Sequence, residues 1–239
     1  MCSSDLSCRG SRPPIWCAGC AASRERGVKL FVATRNPGKA REIRELLTGL
    51  PFELSFPEER FLERLPEELD LEQGMSFSEN AVRKARYFAK RSGWPTLAED
   101  SGLVVEALGG APGVHSARYA ELHGKRGPGQ PAQAGDAANN ALLLARLADV
   151  PEERRAARYT CVVAYLETAL AAPELVEASC EGRILTAPRG TGGFGYDPLF
   201  FSPELNLTFA EAPAAAKHRV SHRGRAVRAL IEVLLRRSQ

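Results

Sequence analysis

From Val28 onward, short apolar runs alternate with stretches in which apolar residues return every three or four positions. Val28 to Ala33 reads as a buried strand, broken at Thr34-Arg-Asn-Pro-Gly-Lys39, and a helix follows with Ile43, Leu46 and Leu47 on one face. Residues 51–74 mix short apolar pieces with many carboxylates, which predicts a strand and a loop. Ser76-Phe-Ser-Glu79 is a capping-box signature for a second helix. Its apolar stripe is Ala81, Val82, Ala85, Phe88 and Ala89, its charged residues Arg83, Lys84, Arg86 and Lys90 fall mostly elsewhere, and Gly93 ends it. Pro95 to Ala98 predicts a short strand leading into Glu99-Asp100-Ser101-Gly102. A Gly/Pro/Gln-rich loop over 123–135 precedes a helix through Leu142, Leu143, Leu144 and Leu147. Tyr159 to Leu166 and Leu175 to Leu185 read as strands, 190–197 as a glycine-dense loop, and the last helix starts at Ser221 as N-cap. Strands alternating with helices predict an α/β fold with a mixed sheet.

Composition changes this picture little. The 239 residues suffice for one sizeable core, and 44% hydrophobic with 26% charged residues is ordinary for a globular chain. A net charge of +3 suits a polyanionic ligand but is too small an excess to argue for nucleic acid. No apolar run approaches the roughly 18 residues of a membrane span. Residues 1–27 hold four of the six cysteines and show no periodicity. They read as an extension, either disordered or the product of a start placed upstream of Val28, with a transit segment as a further reading; the domain is then 28–239. Cys17 and Cys20 have zinc-like spacing but no second pair, so a zinc-held surface is the weaker reading. Cys161 lies in an apolar run as a buried thiol, and the compartment reads as reducing and cytoplasmic.

Four segments carry chemistry. In Thr34, Arg35, Asn36, Pro37, Gly38 and Lys39 a strand turns into a helix, so free N–H groups, the helix dipole and the lysine favour an anion. The spacing is not that of a Walker A loop, and an ordinary strand–turn–helix connection explains it about as well. The second is Glu72 and Glu79 with the adjacent pair Glu99 and Asp100. In extended chain the pair points to opposite sides, so one could bind magnesium while the other addresses a water; a solvated turn also accounts for it. In the third, Gly192 to Asp197, glycines admit a ligand closely, Phe194 offers a π-face and Asp197 offers acceptors; a tight hairpin fits equally. The fourth sets Lys217, His222 and Arg223 at a helix start, against the dipole preference, which makes sense if an anionic or carbonyl-bearing ligand lies between them.

Taken together, these segments resemble the inosine triphosphate pyrophosphatase family, the XTP/dITP diphosphatases. The matching pieces are Ala33-Thr-Arg-Asn-Pro-Gly-Lys39, Ser76-Phe-Ser-Glu-Asn80, Ala98-Glu-Asp-Ser-Gly-Leu103, Gly109 to Gly113 with Ser116 to Tyr119, Thr191 to Pro198, and Ser221-His-Arg-Gly224, in the family's order. The resemblance implies an elongated two-lobed α/β fold with a central mixed sheet, a homodimer, and hydrolysis of ITP, dITP and XTP to monophosphate and pyrophosphate with Mg2+. It implies that Thr34, Asn36 and Lys39 hold the triphosphate, with Arg35, Pro37 and Gly38 in the same loop. It places Glu72 and Asp100 at the metal, Asp100 also as general base, and Glu99 as a further ligand. Ser101 would contact substrate. Phe194, Gly195, Tyr196 and Asp197 would form the base and sugar pocket, and Lys217, His222 and Arg223 would read the 6-oxo purine and phosphates. Three features depart from the family pattern: Ala214-Ala-Ala216 where acidic residues are usual, the long loop after Tyr119, and the leader. A Maf-like pyrophosphatase and a silent nucleotide or RNA binder are the competing readings; the Ser-His-Arg and Phe-Gly-Tyr-Asp segments oppose the first, and the clustered carboxylates oppose the second.

Overall fold

A computed structural model describes residues 27–124 and 135–237. The extension and most of the Gly/Pro/Gln-rich loop lie outside them. Strand β1 (Val28–Val32) leads through the 33–36 turn into α1 (Pro37–Leu47) and β2 (Phe52–Ser55). A 3-10 turn (Pro66–Asp70) precedes α2 (Phe77–Ser92) and the long β3 (Thr96–Val105). Then come α3 (Tyr119–His123), α4 (Asp136–Arg146), β4 (Ala156–Leu166) and β5 (Glu174–Ile184). The short strands β6 (Phe200–Ser202) and β7 (Leu207–Thr208) are followed by α5 (Ala214–Val220) and α6 (His222–Arg237). One seven-stranded mixed sheet results, in the order β2-β1-β3-β4-β5-β6-β7, with β1 parallel to β2 and β3 and the remaining pairs antiparallel.

Local chemistry explains most boundaries. Asn36 caps α1 by accepting from the Lys39 amide at 3.0 Å, and Pro37 sits where its missing N–H is no loss. Ser76 caps α2 through the Glu79 amide, and Gly93, left-handed at φ 69°, closes it. Only half of the expected capping box forms, because the Glu79 carboxylate accepts from the Met75 amide rather than from Ser76. Ser221 accepts from the Gly224 amide and starts α6 as expected. Helix α5 is an element the pattern does not announce, since Ala214-Ala-Ala216 has no stripe of large apolar residues.

Strand β3 runs past the end of β1 and joins two cores. Near its start Leu97 packs with Leu30, Val32, Ile43, Leu47 and α6 on one face, while Ala98 packs with Phe31 and the α2 residues Ala81, Ala85 and Phe88 on the other. Toward its end Leu103 and Val105 belong to a separate core with Leu143, Leu147, Ile184, Leu199 and Phe200. Residues 99–102 lie between the two cores. Glu99 and Asp100 are therefore mid-strand residues, correcting the expectation that they follow a short strand. Pairing with β1 stops at Val32 opposite Leu97, so from Glu99 onward the β1-facing edge of β3 opens on a crevice beyond the C-terminal end of β1. Ligands of open α/β sheets bind in such crevices.

Candidate active site

That crevice is a cleft of about 420 Å3. Of the residues singled out in the sequence, Thr34, Arg35, Asn36, Pro37, Lys39, Glu72, Asp100, Ser101, Phe194, Gly195, Tyr196, Asp197, Lys217, His222 and Arg223 line it. Gly38 and Glu99 lie behind its wall. Alternation along β3 sends Glu99 and Ser101 to the α1/α6 side and Asp100 to the α2 side, and each side has its own ion cluster.

On the α2 side, Asp100 is buried and accepts from Asn80 Nδ2 and from Lys84 Nζ, both at 2.9 Å. The same ammonium reaches Glu72 Oε1 at 2.9 Å, so two carboxylates share one cation. Lys84 is held above its usual 10.5: burial alone would lower it, but Asp100 and Glu72 outweigh burial. Lys84 drives Glu72 down to about 2 against the opposing effect of burial, with Lys39 helping. Arg118 donates to the Glu72 carbonyl at 2.9 Å and fixes the approach of that segment. Gly102 is required next door, because a Cβ there would meet the Gly113 carbonyl and the Ser116 hydroxyl.

The α1/α6 side is charge-balanced. Lys217 Nζ bridges Glu42 Oε1 at 2.7 Å and Asp197 Oδ2 at 2.5 Å. Arg223 spans Glu42 Oε2 at 2.5 Å, Ser101 Oγ at 2.9 Å and Glu99 Oε1 at 3.4 Å, and Lys39 Nζ reaches the same Glu99 oxygen at 3.0 Å. Three carboxylates thus face three cations. Burial alone would raise Glu42, yet Arg223 and Lys217 hold it down to about 2. Glu99 is likewise held below its ordinary range by Arg223 and Lys39, against burial, whereas Asp197 is raised because its burial exceeds what Lys217 returns. Cys161 and Cys180 are both free and buried, and the Cys161 thiol donates to Glu99 Oε2 at 3.6 Å.

The glycine loop brings an aromatic face to these cations. Lys217 Nζ lies 5.3 Å and the Arg223 guanidinium 5.5 Å from the Phe194 ring centre. Phe194 also covers Gly38, where a Cβ would come within 2.6 Å of the ring. Asp197 holds the loop through the Phe194 amide, and Asp136 and Asn140 of α4 grip Gly195 at its amide (2.6 Å) and carbonyl (3.0 Å). The Tyr196 hydroxyl donates to the Ser116 carbonyl at 2.8 Å, so it braces the wall it lines. His222 stacks on Tyr159 at 4.6 Å, and burial followed by Arg223 depresses it far below 6.5, leaving a neutral ring. Arg35 is already engaged, bonding Glu68 through Nε at 2.5 Å and Nη2 at 2.8 Å.

Glu42, Lys84, Asp136 and Asn140 escape the motif reading, and Asn80 falls within a matched segment without being given a role. Lys84 falls inside the stripe of α2, four residues after Asn80 and three after Ala81, not elsewhere as expected. Glu42 shares the buried face of α1 with Ile43. A charge on a buried helix face was the available signal in both cases.

The donor set fits a hard divalent cation in part. Glu72 and Asp100 supply oxygen donors of the kind magnesium takes, and they converge on the Lys84 ammonium. Glu99 does not join them: it lies on the other face of the strand, and among the described residues no group of three potential ligands is preassembled.

An α/β crevice that gathers a strand–turn–helix connection, a carboxylate pair sharing one cation and an aromatic–cationic pocket fits the class of nucleotide-processing proteins. The chain belongs to the Ham1 family, whose family model matches residues 30–233. It is 48% identical to the dITP/XTP pyrophosphatase of Geobacter sulfurreducens over 83% of this chain and 92% of that one. It is 47% identical to the dITP/XTP pyrophosphatase of Thermus thermophilus, over 87% and 92%. Among solved structures, a HAM1 protein from Coxiella burnetii superposes with a TM-score of 0.73 at 37% identity, covering 87% of this chain and 99% of that one. A nucleoside-triphosphatase, dITP/XTP pyrophosphatase, from Mycobacterium abscessus gives 0.60 at 41% identity, over 85% and 98%.

Proposed function

We propose that the chain hydrolyses ITP, dITP and XTP to the monophosphate and pyrophosphate. The observation that carries this reading is the pairing, in one cleft, of the Phe194, Lys217 and Arg223 pocket with the Asp100–Lys84–Glu72 cluster beside the Thr34–Lys39 turn. The relatives' names point the same way.

In this reading the base lies against Phe194, and Lys217 and Arg223 address its 6-oxo group. Lys217 keeps one N–H beyond those given to Glu42 and Asp197, and the buried Arg223 Nε has no hydrogen-bond partner among the described residues. A 6-oxo acceptor satisfies such donors, whereas the 6-amino group of adenine leaves donor facing donor. The Thr34–Lys39 turn, Lys39 and Lys84 hold the phosphates. Asp100 accepts a proton from the water that attacks the α-phosphorus; the bond from that phosphorus to the bridging oxygen breaks, and pyrophosphate leaves. Glu72 and Asp100 would hold Mg2+, which supplies charge neutralisation to the transferring phosphoryl group.

The same reading carries a homodimer, checked by sedimentation, and a cytoplasmic site of action. No helix among the described residues is long and apolar enough to cross a membrane. The test of the reaction is product analysis with ITP, XTP, GTP and ATP in magnesium. Monophosphate and pyrophosphate from ITP and XTP alone are expected. Orthophosphate, or equal use of ATP, would overturn it.

A further inference from the structure

The segment between Phe56 and Glu72 places one cation where the turn-based reading of the site does not look. Arg64 lines the cleft, is exposed, and has no hydrogen-bond or ion-pair partner among the described residues. Its freedom is unusual for its neighbourhood, which carries Glu58, Glu59, Glu63, Glu67 and Glu68. Two of these carboxylates serve other groups. Glu59 binds Arg44 and the Phe56 amide, and the two oxygens of Glu68 serve Arg35 and Arg91.

The backbone leading into Arg64 is fixed as well. Arg35 Nη2 donates to the carbonyls of Leu62 at 2.9 Å and Glu63 at 3.2 Å, and Arg91 Nη1 donates to the Glu63 carbonyl at 2.9 Å. Leu62 and Leu71 pack on the core under α2, so both ends of the segment are anchored. Two arginines, one from the anion-binding turn and one from α2, thus tie this segment to the phosphate side of the cleft. They leave a third guanidinium unpaired over it. Arg64 lines the same cleft as Lys84 and Asp100, together with Arg35, Glu68 and Leu71, and Arg35 joins its segment to the Thr34–Lys39 turn proposed to hold the phosphates.

We propose that Arg64 binds the terminal phosphates of the substrate, the part released as pyrophosphate, and helps select triphosphates. A planar guanidinium with no protein carboxylate to satisfy it suits two oxygens of a phosphate chain. The inference rests on the reaction proposed above.

The test is calorimetric titration of the full-length protein, in magnesium, with pyrophosphate and separately with IMP, for wild type, Arg64→Ala and Arg64→Lys. Arg64→Ala is expected to weaken pyrophosphate about tenfold or more, with IMP affinity unchanged and Arg64→Lys intermediate. In steady state the same variant raises KM for ITP with kcat within about twofold, the pattern of lost binding rather than lost chemistry. An unchanged pyrophosphate affinity, or an equal loss for IMP, would overturn the proposal. The exposed position predicts an unchanged melting temperature, which separates a binding effect from misfolding. Should wild type fail to make IMP and pyrophosphate from ITP, the reaction itself falls, and that result is independent of the variant titrations.

Discussion

The two faces of β3 carry neighbouring carboxylates with opposite fates. Glu99 is sealed behind Lys39 and Arg223 in a cluster of three anions and three cations. Asp100 lines the cleft in a smaller cluster where it and Glu72 share a single ammonium. The first cluster balances its charges internally, whereas in the second two carboxylates share one cation. A one-residue step along the strand puts one carboxylate behind the cleft wall and the other on the cleft lining.

The sharpest way to break this comparison is to neutralise each carboxylate in turn. Asp100→Asn keeps the shape and removes the proton acceptor, so kcat for ITP is expected to fall about 10²–10⁴-fold with little change in melting temperature. Glu99→Gln should do the reverse in kind: it strands Lys39 and Arg223 against a neutral amide and is expected to destabilise by about 3 kcal/mol in urea melts. The magnesium concentration for half-maximal activity should stay where it is. If Glu99→Gln instead shifts magnesium dependence while Asp100→Asn does not, the faces have been assigned the wrong way round. Lys84→Met tests the shared cation and should cost roughly 3–5 kcal/mol in stability as well as activity, because two carboxylates lose their common partner.

The charge-balanced face also has a pH signature. Glu42 titrates near 2 in the folded chain against an ordinary 4.5, so its contribution is present above 4.5 and lost as the pH falls toward 2. Urea melts between pH 6 and pH 2.5 should lose about 3 kcal/mol through this group. Glu42→Gln should flatten that part of the curve while lowering the plateau. The smallest effect is expected at Tyr196→Phe, which removes one buried hydrogen bond to Ser116 and should cost about 1 kcal/mol.

The order of strands and helices, the caps at Ser76 and Ser221, and most cleft-lining residues could be read from the chain, because periodicity and capping are local properties. The partners that give those residues their roles are not local. Lys84 looks like one more surface lysine until α2 packs on β3, and Glu42 meets Arg223 across 181 positions. Arg35 belongs to the anion-binding turn by sequence, but its guanidinium is claimed by Glu68, 33 residues away. The open edge beside Glu99 and Asp100 depends on where β1 stops relative to β3, a matter of register between strands about 65 residues apart in sequence, which no local pattern sets.

In the proposed reaction, water attacks the α-phosphorus beside Asp100. Hydrolysis of ITP in 18O-labelled water, with mass analysis of both products, tests that most directly. The label is expected in the monophosphate, with unlabelled pyrophosphate. Label in the pyrophosphate or in orthophosphate would place the attack on another phosphorus and contradict the assignment of the cleft.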